Sequence, residues 1–310
     1  MITVIICTHN PRRDYLDRVL NSLKLQTFPK ESWELLLIDN ASELYLDAQI
    51  DLSWHSKARH IREEILGLTA ARLRGIKEAR NDILVFVDDD NILDINYLNN
   101  TIDIMQKYPN LGAVGGKSLP EFEIKPEDWV HQFYSCLALR DLGDETETYF
   151  PNLSDKVSKK YPEISPIGAG IVLVKQAAQA YAELACQDTS RLSLGRTGKK
   201  LVSGEDNDIV LTLLGLGWGI GYFPQLRLTH LISANRVTKD YLAKLNHASS
   251  RSWIQVLDFH KIRPWKKISS WTVMPRKVKA YFNYQAWKNP ESFVRWRGAC
   301  GTFESLAKLS

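Results

Sequence analysis

Residues 2–8, Ile-Thr-Val-Ile-Ile-Cys-Thr, form an almost unbroken apolar run. Such a run marks a strand covered on both faces. His9-Asn10-Pro11 then turns the chain, and Leu16, Val19, Leu20 and Leu23 recur with helical spacing, which predicts an amphipathic helix over 14–26. A second apolar run at 33–38 ends on Asp39-Asn40, and a weaker strand is expected at 58–61. A helix is expected over 66–80 with Ala70, Leu73 and Ile76 inward. A buried strand follows at 83–87 and ends on Asp88-Asp89-Asp90. A helix at 95–106 and a strand at 112–115 complete this half.

Strand–helix–strand alternation of this kind builds βαβ units on a parallel sheet. Ligands of such sheets bind beyond the carboxyl ends of the strands, and Thr8, Asp39 and the Asp88–Asp90 run all fall there. Farther on the pattern loosens. Residues 117–165 mix Pro, Trp, acids and Lys and read as long loops with one short helix at 129–139. A strand is expected at 167–174, opening on Gly168-Ala169-Gly170, and a flexible Gly-bearing loop at 194–200. A helix is expected at 205–214, then two short strands, 219–223 and 226–230, either side of Pro224. From Thr238 onward the chain reads as helices, and no internal repeat is visible.

At 310 residues, 44% of them hydrophobic and 25% charged, the chain has material for a large buried core and is neither disordered nor fibrous. No apolar stretch approaches the ~18 residues of a membrane span. The start lacks a basic segment ahead of its apolar run, so it reads as a strand and not a signal peptide. Cys7, Cys136, Cys186 and Cys300 are far apart without a CxxC pair, which favours small buried thiols and fits a cytoplasmic location.

Charge divides the chain. Residues 1–235 carry 25 Lys+Arg against 32 Asp+Glu, whereas 236–310 carry 15 against 4 along with five of the nine Trp. Two readings of this basic, aromatic tail stand. One is an anionic partner, with membrane headgroups or nucleic acid as candidates; the other is a solvated helical face whose Trp side chains pack on the body.

The strongest chemical signal is Asp88-Asp89-Asp90 at the mouth of a buried strand. Three adjacent acids repel one another unless a divalent cation or a cluster of donors sits there, and hard oxygen ligands suit Mg²⁺ or Mn²⁺. A solvated acidic turn is the plainer alternative. Ser203-Gly204-Glu205-Asp206 opens a helix, where acids favour the positive end of the dipole; one of these carboxylates at a site edge could serve as a general base. His230 follows a strand and is a third candidate. Gly168-Ala169-Gly170 opens a strand and not a helix, so the dinucleotide fingerprint is not met. No GxxxxGK[ST] or GxSxG is present either.

Taken in order, Thr8-x-Asn10, Gln26-Thr27, the Leu36 to Ser42 segment, Gly67-Leu68-x-Ala70-Ala71-Arg72, Val87-Asp88-Asp89-Asp90, Gly204-Glu205-Asp206 and His230 make the chain resemble the family 2 inverting glycosyltransferases. The resemblance spans about 1–235. It implies the α/β GT-A fold: a Rossmann-like, mostly parallel sheet flanked by helices. Residues 1–116 would be the nucleotide-sugar half, 117–235 the acceptor half, and 236–310 a helical extension. It also implies roles. Thr8 and Asp39 would hold the nucleotide base, Asn10 would be a further donor-binding residue, Arg72 would lie near the nucleotide, and Asp88 and Asp89 would contact ribose or metal-bound water. Asp90 would bind Mn²⁺ or Mg²⁺, with His230 completing the metal shell or touching the phosphates. Asp206 would be the base and Glu205 would orient the acceptor or Asp206. Trp218 and the residues around Trp129 are candidates for stacking on sugar rings, or for the core.

The processive synthases of this family carry membrane spans and a Gln-x-x-Arg-Trp motif. Here only Ser292-Phe-Val-Arg295-Trp296 echoes it, so one sugar per acceptor is expected. The donor would be a nucleoside-diphosphate sugar, UDP-sugar favoured, and the acceptor a glycan or lipid-linked hydroxyl, with peripheral contact at the inner face of the membrane through the tail. No nucleic acid partner is expected. Two other functions remain: a sugar-phosphate nucleotidyltransferase, disfavoured because Thr-His-Asn-Pro-Arg-Arg after the first strand lacks glycine, and a non-catalytic nucleotide-sugar or glycan binder.

Overall fold

The computed structural model describes residues 1–151, 161–198 and 201–309. Among the described residues one nine-stranded sheet runs in the order β3–β2–β1–β4–β8–β6–β9–β5, with β7 beside β9. The strands are β1 (Ile2–Thr8), β2 (Trp33–Asn40), β3 (Ala58–Glu63), β4 (Ile83–Asp88), β5 (Asn91–Leu93), β6 (Leu111–Phe122), β7 (Glu147–Tyr149), β8 (Val172–Val174) and β9 (Gly219–Ile232). Six point one way; β5, β7 and β8 oppose them. The expected mostly parallel, helix-flanked sheet is therefore present.

Alternation along each buried strand feeds two cores, one per face. Ile2, Val4 and Ile6 of β1 meet Leu16, Val19 and Leu23 of α1 (Arg13–Lys24) on one face. Ile5 and Cys7 join Ala71 and Ile76 of α2 (Leu68–Glu78) on the other. Helix α3 (Tyr97–Lys107) packs on the first face; α4 (Lys175–Gln187) and α6 (Glu205–Gly215) pack on the second, and α5 (Thr189–Leu192) is a single turn between them. The C-terminal helices are α7 (Lys239–Phe259), α8 (Val273–Asn283) and α9 (Pro290–Leu306). Leu242 and Leu245 of α7 and Val294 of α9 bury against Val130, Phe133 and Leu137.

Several sequence expectations need correction. The strand expected at 167–174 is only Val172–Val174, because 167–171 forms a loop whose Gly168 N–H donates to Asp206 Oδ2 at 3.0 Å and whose Gly170 carbonyl accepts from Tyr97 at 2.5 Å. The two strands expected around Pro224 are one strand, β9. Its pairing with β6 jumps from Gly115↔Tyr222 to Lys117↔Arg227, so residues 223–226 bulge opposite Gly116. A Cβ on Gly116 would stand 2.1 and 2.3 Å from the Leu226 and Phe223 carbonyl oxygens, so only glycine fits. Helix α4 was not expected. The short helix expected at 129–139 is a 3-10 helix over Asp128–Leu137, and β6 extends well beyond 112–115. The rest of the 117–165 region includes 152–160, and the 194–200 loop includes Lys199 and Lys200; both pieces lie outside the described residues. Cys186 is exposed, so not every thiol is buried, and all four are free.

Candidate functional site

The ends of β1, β2 and β4 lie side by side, with Thr8 paired to Asp39 and Cys7 to Asp88. Directly after β4 the chain crosses to the far side of the sheet and pairs as β5 with β9, which sets Asn91 opposite His230. The Leu231 N–H donates to the Asp90 carbonyl at 2.8 Å. The acid triplet is therefore a bridge between the middle of the sheet and its edge, and this explains how Asp90 and His230, 140 positions apart in sequence, become neighbours.

These elements enclose a cleft of about 250 Å³ lined by Thr8, Arg72, Asp88, Asp89, Asp90, Glu205, Asp206 and His230. Thr8 Oγ1 donates to Asp89 Oδ2. Arg72 is buried beneath the cleft, with its guanidinium 3.5 Å from Asp88 and 3.6 Å from Glu205. Asp206 Oδ2 accepts from Gly168 N–H, and its Oδ1 accepts from Asn207 N–H at 2.9 Å. Asp90 Oδ2 accepts from Arg236 at 2.8 Å and lies 3.2 Å from His230 Nε2.

Electrostatics sorts the acids. Burial pushes Asp89 up to about 7, and the neighbouring Asp90 charge adds to the rise. Burial also raises Asp88, against the pull of Arg72. Asp90 goes the other way: burial disfavours its charge, but His230 and Arg236 outweigh that and hold it far below the usual carboxylate range. Glu205 is pushed up to about 7 by burial, although Arg72 opposes the rise. Neither of its oxygens has a hydrogen-bond partner among the described residues.

Two predicted site residues lie apart from the cleft lining. The Asn10 side chain accepts from Glu43 N–H at 2.9 Å, and the Asn10 N–H donates to Ser42 Oγ at 3.0 Å, so Asn10 ties the loop after β1 to the loop after β2. Asp39 accepts from Arg62 at 2.8 Å, from Ser42 N–H at 3.1 Å and from Leu46 N–H at 3.2 Å. Burial raises its pKa, but these donors outweigh it and the net shift is downward. The two Trp candidates are half-buried at the edge of the core. Trp218 packs against Gly112 and Leu213 at the amino end of β9, and Trp129 stacks edge-on with Phe133.

Sequence reasoning missed His9, Asn40, Arg196 and Arg236, all of which line the cleft. Arg236 is buried and tied to Asp90, yet it sits in a short 3-10 helix after β9, Ala234–Val237, with no local pattern to flag it.

The carboxylates of Asp88, Asp89 and Asp90 are the oxygen donors that a hard divalent cation takes, and the His230 imidazole lies beside them. Burial raises Asp88 and Asp89, and a bound divalent ion would favour their charged forms. Among the described residues no three His, Cys, Asp or Glu side chains converge as a ready cage; Mg²⁺ keeps several waters and takes substrate phosphates, so it needs only one or two carboxylates. No helix among the described residues is long and apolar enough to cross a membrane.

The chain is similar to a glucosyl-dolichyl phosphate glucuronosyltransferase of Haloferax volcanii, 23% identical over 246 residues that cover 78% of this chain and 72% of the relative. Its fold is similar to that of S. aureus TarS 1–349 in crystals with UDP, at a TM-score of 0.53 and 14% identity over 99% of this chain and 90% of that one. The crystal structure of the same fragment with UDP-GlcNAc gives a TM-score of 0.53 at 12% identity over the same shares. Residues 3–179 match the description "Glycosyl transferase family 2". With more than half its length matched, the chain belongs to glycosyl transferase family 2 and is a glycosyltransferase.

Proposed function

We propose that this protein is a metal-dependent inverting glycosyltransferase. It moves one sugar from a nucleoside-diphosphate sugar, UDP-sugar favoured, to a hydroxyl of a lipid-linked or glycan acceptor in cell-surface polysaccharide synthesis. The observation that carries the reading is the cleft at the strand ends, where the acid triplet, Arg72 and Asp206 converge. The similar glucuronosyltransferase acts on a glucosyl-dolichyl phosphate by its name, and the similar fold binds UDP-GlcNAc in a crystal; these support the acceptor and donor classes.

Residues 1–116 form the donor half and 117–235 the acceptor half. Thr8 and Asp39 hold the base. Asp39 is already held by Arg62, by Leu46 N–H and by the Ser42 N–H and hydroxyl, so a ring N–H would take the place of the Ser42 hydroxyl. Asn10 shapes this end by tying the two loops together. Arg72 and Asp88 flank the nucleotide, and Asp89, steadied by Thr8, faces ribose or a metal-bound water. Asp90 and His230 would hold Mn²⁺ or Mg²⁺, which neutralises the charge developing on the departing diphosphate. Asp206, held by two backbone N–H groups, takes the proton from the acceptor hydroxyl as its oxygen attacks the anomeric carbon from the face opposite the leaving group. A single displacement inverts configuration. Glu205 acts through Arg72, whose guanidinium it helps to place. The working location is the cytoplasm, with contact at the inner face of the membrane through 236–310.

Thermal unfolding with UDP-, GDP- and dTDP-sugars, with and without Mn²⁺, tests this. A ligand at about 100 times its dissociation constant adds about 2.7 kcal/mol. One nucleotide series should stabilise the protein, and only with the metal. Stabilisation by none would remove the donor site and with it the reading.

A further inference from the structure

Helix α8 carries its apolar side outward. Trp271, just before the helix, is 81% exposed, and Met274, Val278 and Phe282 are 63%, 53% and 61% exposed. Their spacing puts all four on one stripe. Ala280, half a turn away from that stripe, is the buried residue of the helix. The inner side is already satisfied: Tyr281 lies edge-on to Trp296 at 5.1 Å, and Trp296 Nε1 donates to the Lys277 carbonyl at 3.0 Å. A soluble helix normally turns such a stripe toward its core, and a contiguous exposed apolar patch marks an interaction site.

Charge names the partner. From Phe259 to Pro290 the sequence has eight Lys or Arg and no Asp or Glu. Lys277 pairs with Glu304 and Arg263 with Asp258, but Lys266, Lys267, Arg276, Lys279 and Lys288 have no ion-pair partner among the described residues. All five are exposed. Trp265 and Trp287 are also exposed at either end of the segment. An apolar stripe one helix wide, flanked by free cations and bracketed by Trp, is the make-up of a helix lying in the interface of an anionic bilayer.

We infer that α8 and its flanks dock this enzyme on an anionic lipid surface, with Trp271, Met274, Val278 and Phe282 entering the headgroup boundary. A second copy seated face to face would set two uncompensated basic surfaces against each other. The inference deepens the lipid-linked acceptor reading by naming the surface on which such an acceptor is met. The two can fail separately, because vesicle binding reads α8 and nucleotide-dependent stabilisation reads the cleft.

The test is co-sedimentation of the full chain with vesicles of phosphatidylglycerol and phosphatidylcholine in equal parts, and of phosphatidylcholine alone. The mixed vesicles should take up the protein at low salt and release most of it at high salt. Met274→Ser with Phe282→Ser, both at exposed positions, should abolish uptake and leave nucleotide-dependent stabilisation unchanged. Lys266→Gln with Lys267→Gln should weaken uptake about 25-fold, about fivefold per charge. No uptake by anionic vesicles at low salt, or undiminished uptake of the Met274→Ser, Phe282→Ser protein, overturns the inference. So does a dimer in analytical ultracentrifugation that the same two substitutions dissolve, since the stripe would then be a self-interface.

Discussion

Glu205 is a charge held against the stability of the fold, and Glu205→Gln isolates it. The side chain is 3% exposed, and burial lifts its pKa from an ordinary 4.5 to about 7. Between those values the folded protein keeps a proton that the unfolded chain has released. Stability from this group is therefore present below about pH 4.5 and lost as pH rises through about 7. At about 1.4 kcal/mol per pH unit the full loss is on the order of 3 kcal/mol. Gln keeps the shape and cannot titrate, and Asp88 remains beside Arg72 at 3.5 Å to balance the guanidinium. Denaturant unfolding of both proteins at about pH 5 and about pH 8.5 reads the difference, in which shifts from distant acids cancel and those of Asp88, Asp206 and Asp208, which interact with Glu205, remain. Relative to the variant, the wild type should lose on the order of 2–3 kcal/mol between those pH values, with the variant the more stable at the higher one. Equal pH slopes in the two proteins would refute the argument, since they would mean that Arg72 fully offsets the burial. The variant should also transfer sugar more slowly, because Arg72 loses one of the two carboxylates that place it.

Other consequences follow from the same geometry. Asp206→Asn should bind the donor normally and lose transfer by roughly 10²–10⁴-fold; unchanged turnover in single-turnover assays would remove Asp206 as the base. Asp90→Ala should abolish the Mn²⁺-dependent part of donor stabilisation while the apo protein stays folded, read by thermal unfolding with and without metal. Gly116→Ala should cost about 3 kcal/mol or more, because the added methyl would overlap two backbone carbonyls that cannot move without breaking the bulge; a loss under about 1 kcal/mol in denaturant unfolding would show the bulge to be pliable.

Where apolar contrast was strong, the fold was legible. The runs that became β1, β2 and β4 and the periodic leucines of α1 stand out because burial on one or both faces imposes them. Helix α4 escaped notice because its buried positions, Ala177, Ala178, Tyr181 and Ala185, are mostly small and give little contrast. Strands β5 and β7 are three residues long and take their identity from β9, which lies more than 70 positions away in each case. Pro224 reads as a strand break, yet the bulge supplies the freedom it needs and β9 continues. At the site, Thr8, Arg72, the acid triplet, Glu205, Asp206 and His230 are brought together in one cleft. Arg236 could not have been read, since its contact with Asp90 is set by how β9 exits the sheet, 146 positions downstream. In the tail, Trp253 packs on the body against Tyr161 and Trp296 packs within the tail against Tyr281, while Trp265, Trp271 and Trp287 are exposed.

The bulge at 223–226 also governs how this scaffold can change over generations. Upstream of it β9 pairs with β7, and downstream with β5, which fixes His230 opposite Asn91. Because the excursion already breaks the ladder, a residue gained at its outer tip, Pro224-Gln225, would be absorbed locally and would not be passed along the strand, while Phe223 and Leu226 keep their places around Gly116. The half that carries His230 is thereby insulated from length variation in the half that faces β7. Chain segments around 140–150 and the start of β9 can thus be remodelled while the end at His230 keeps its register.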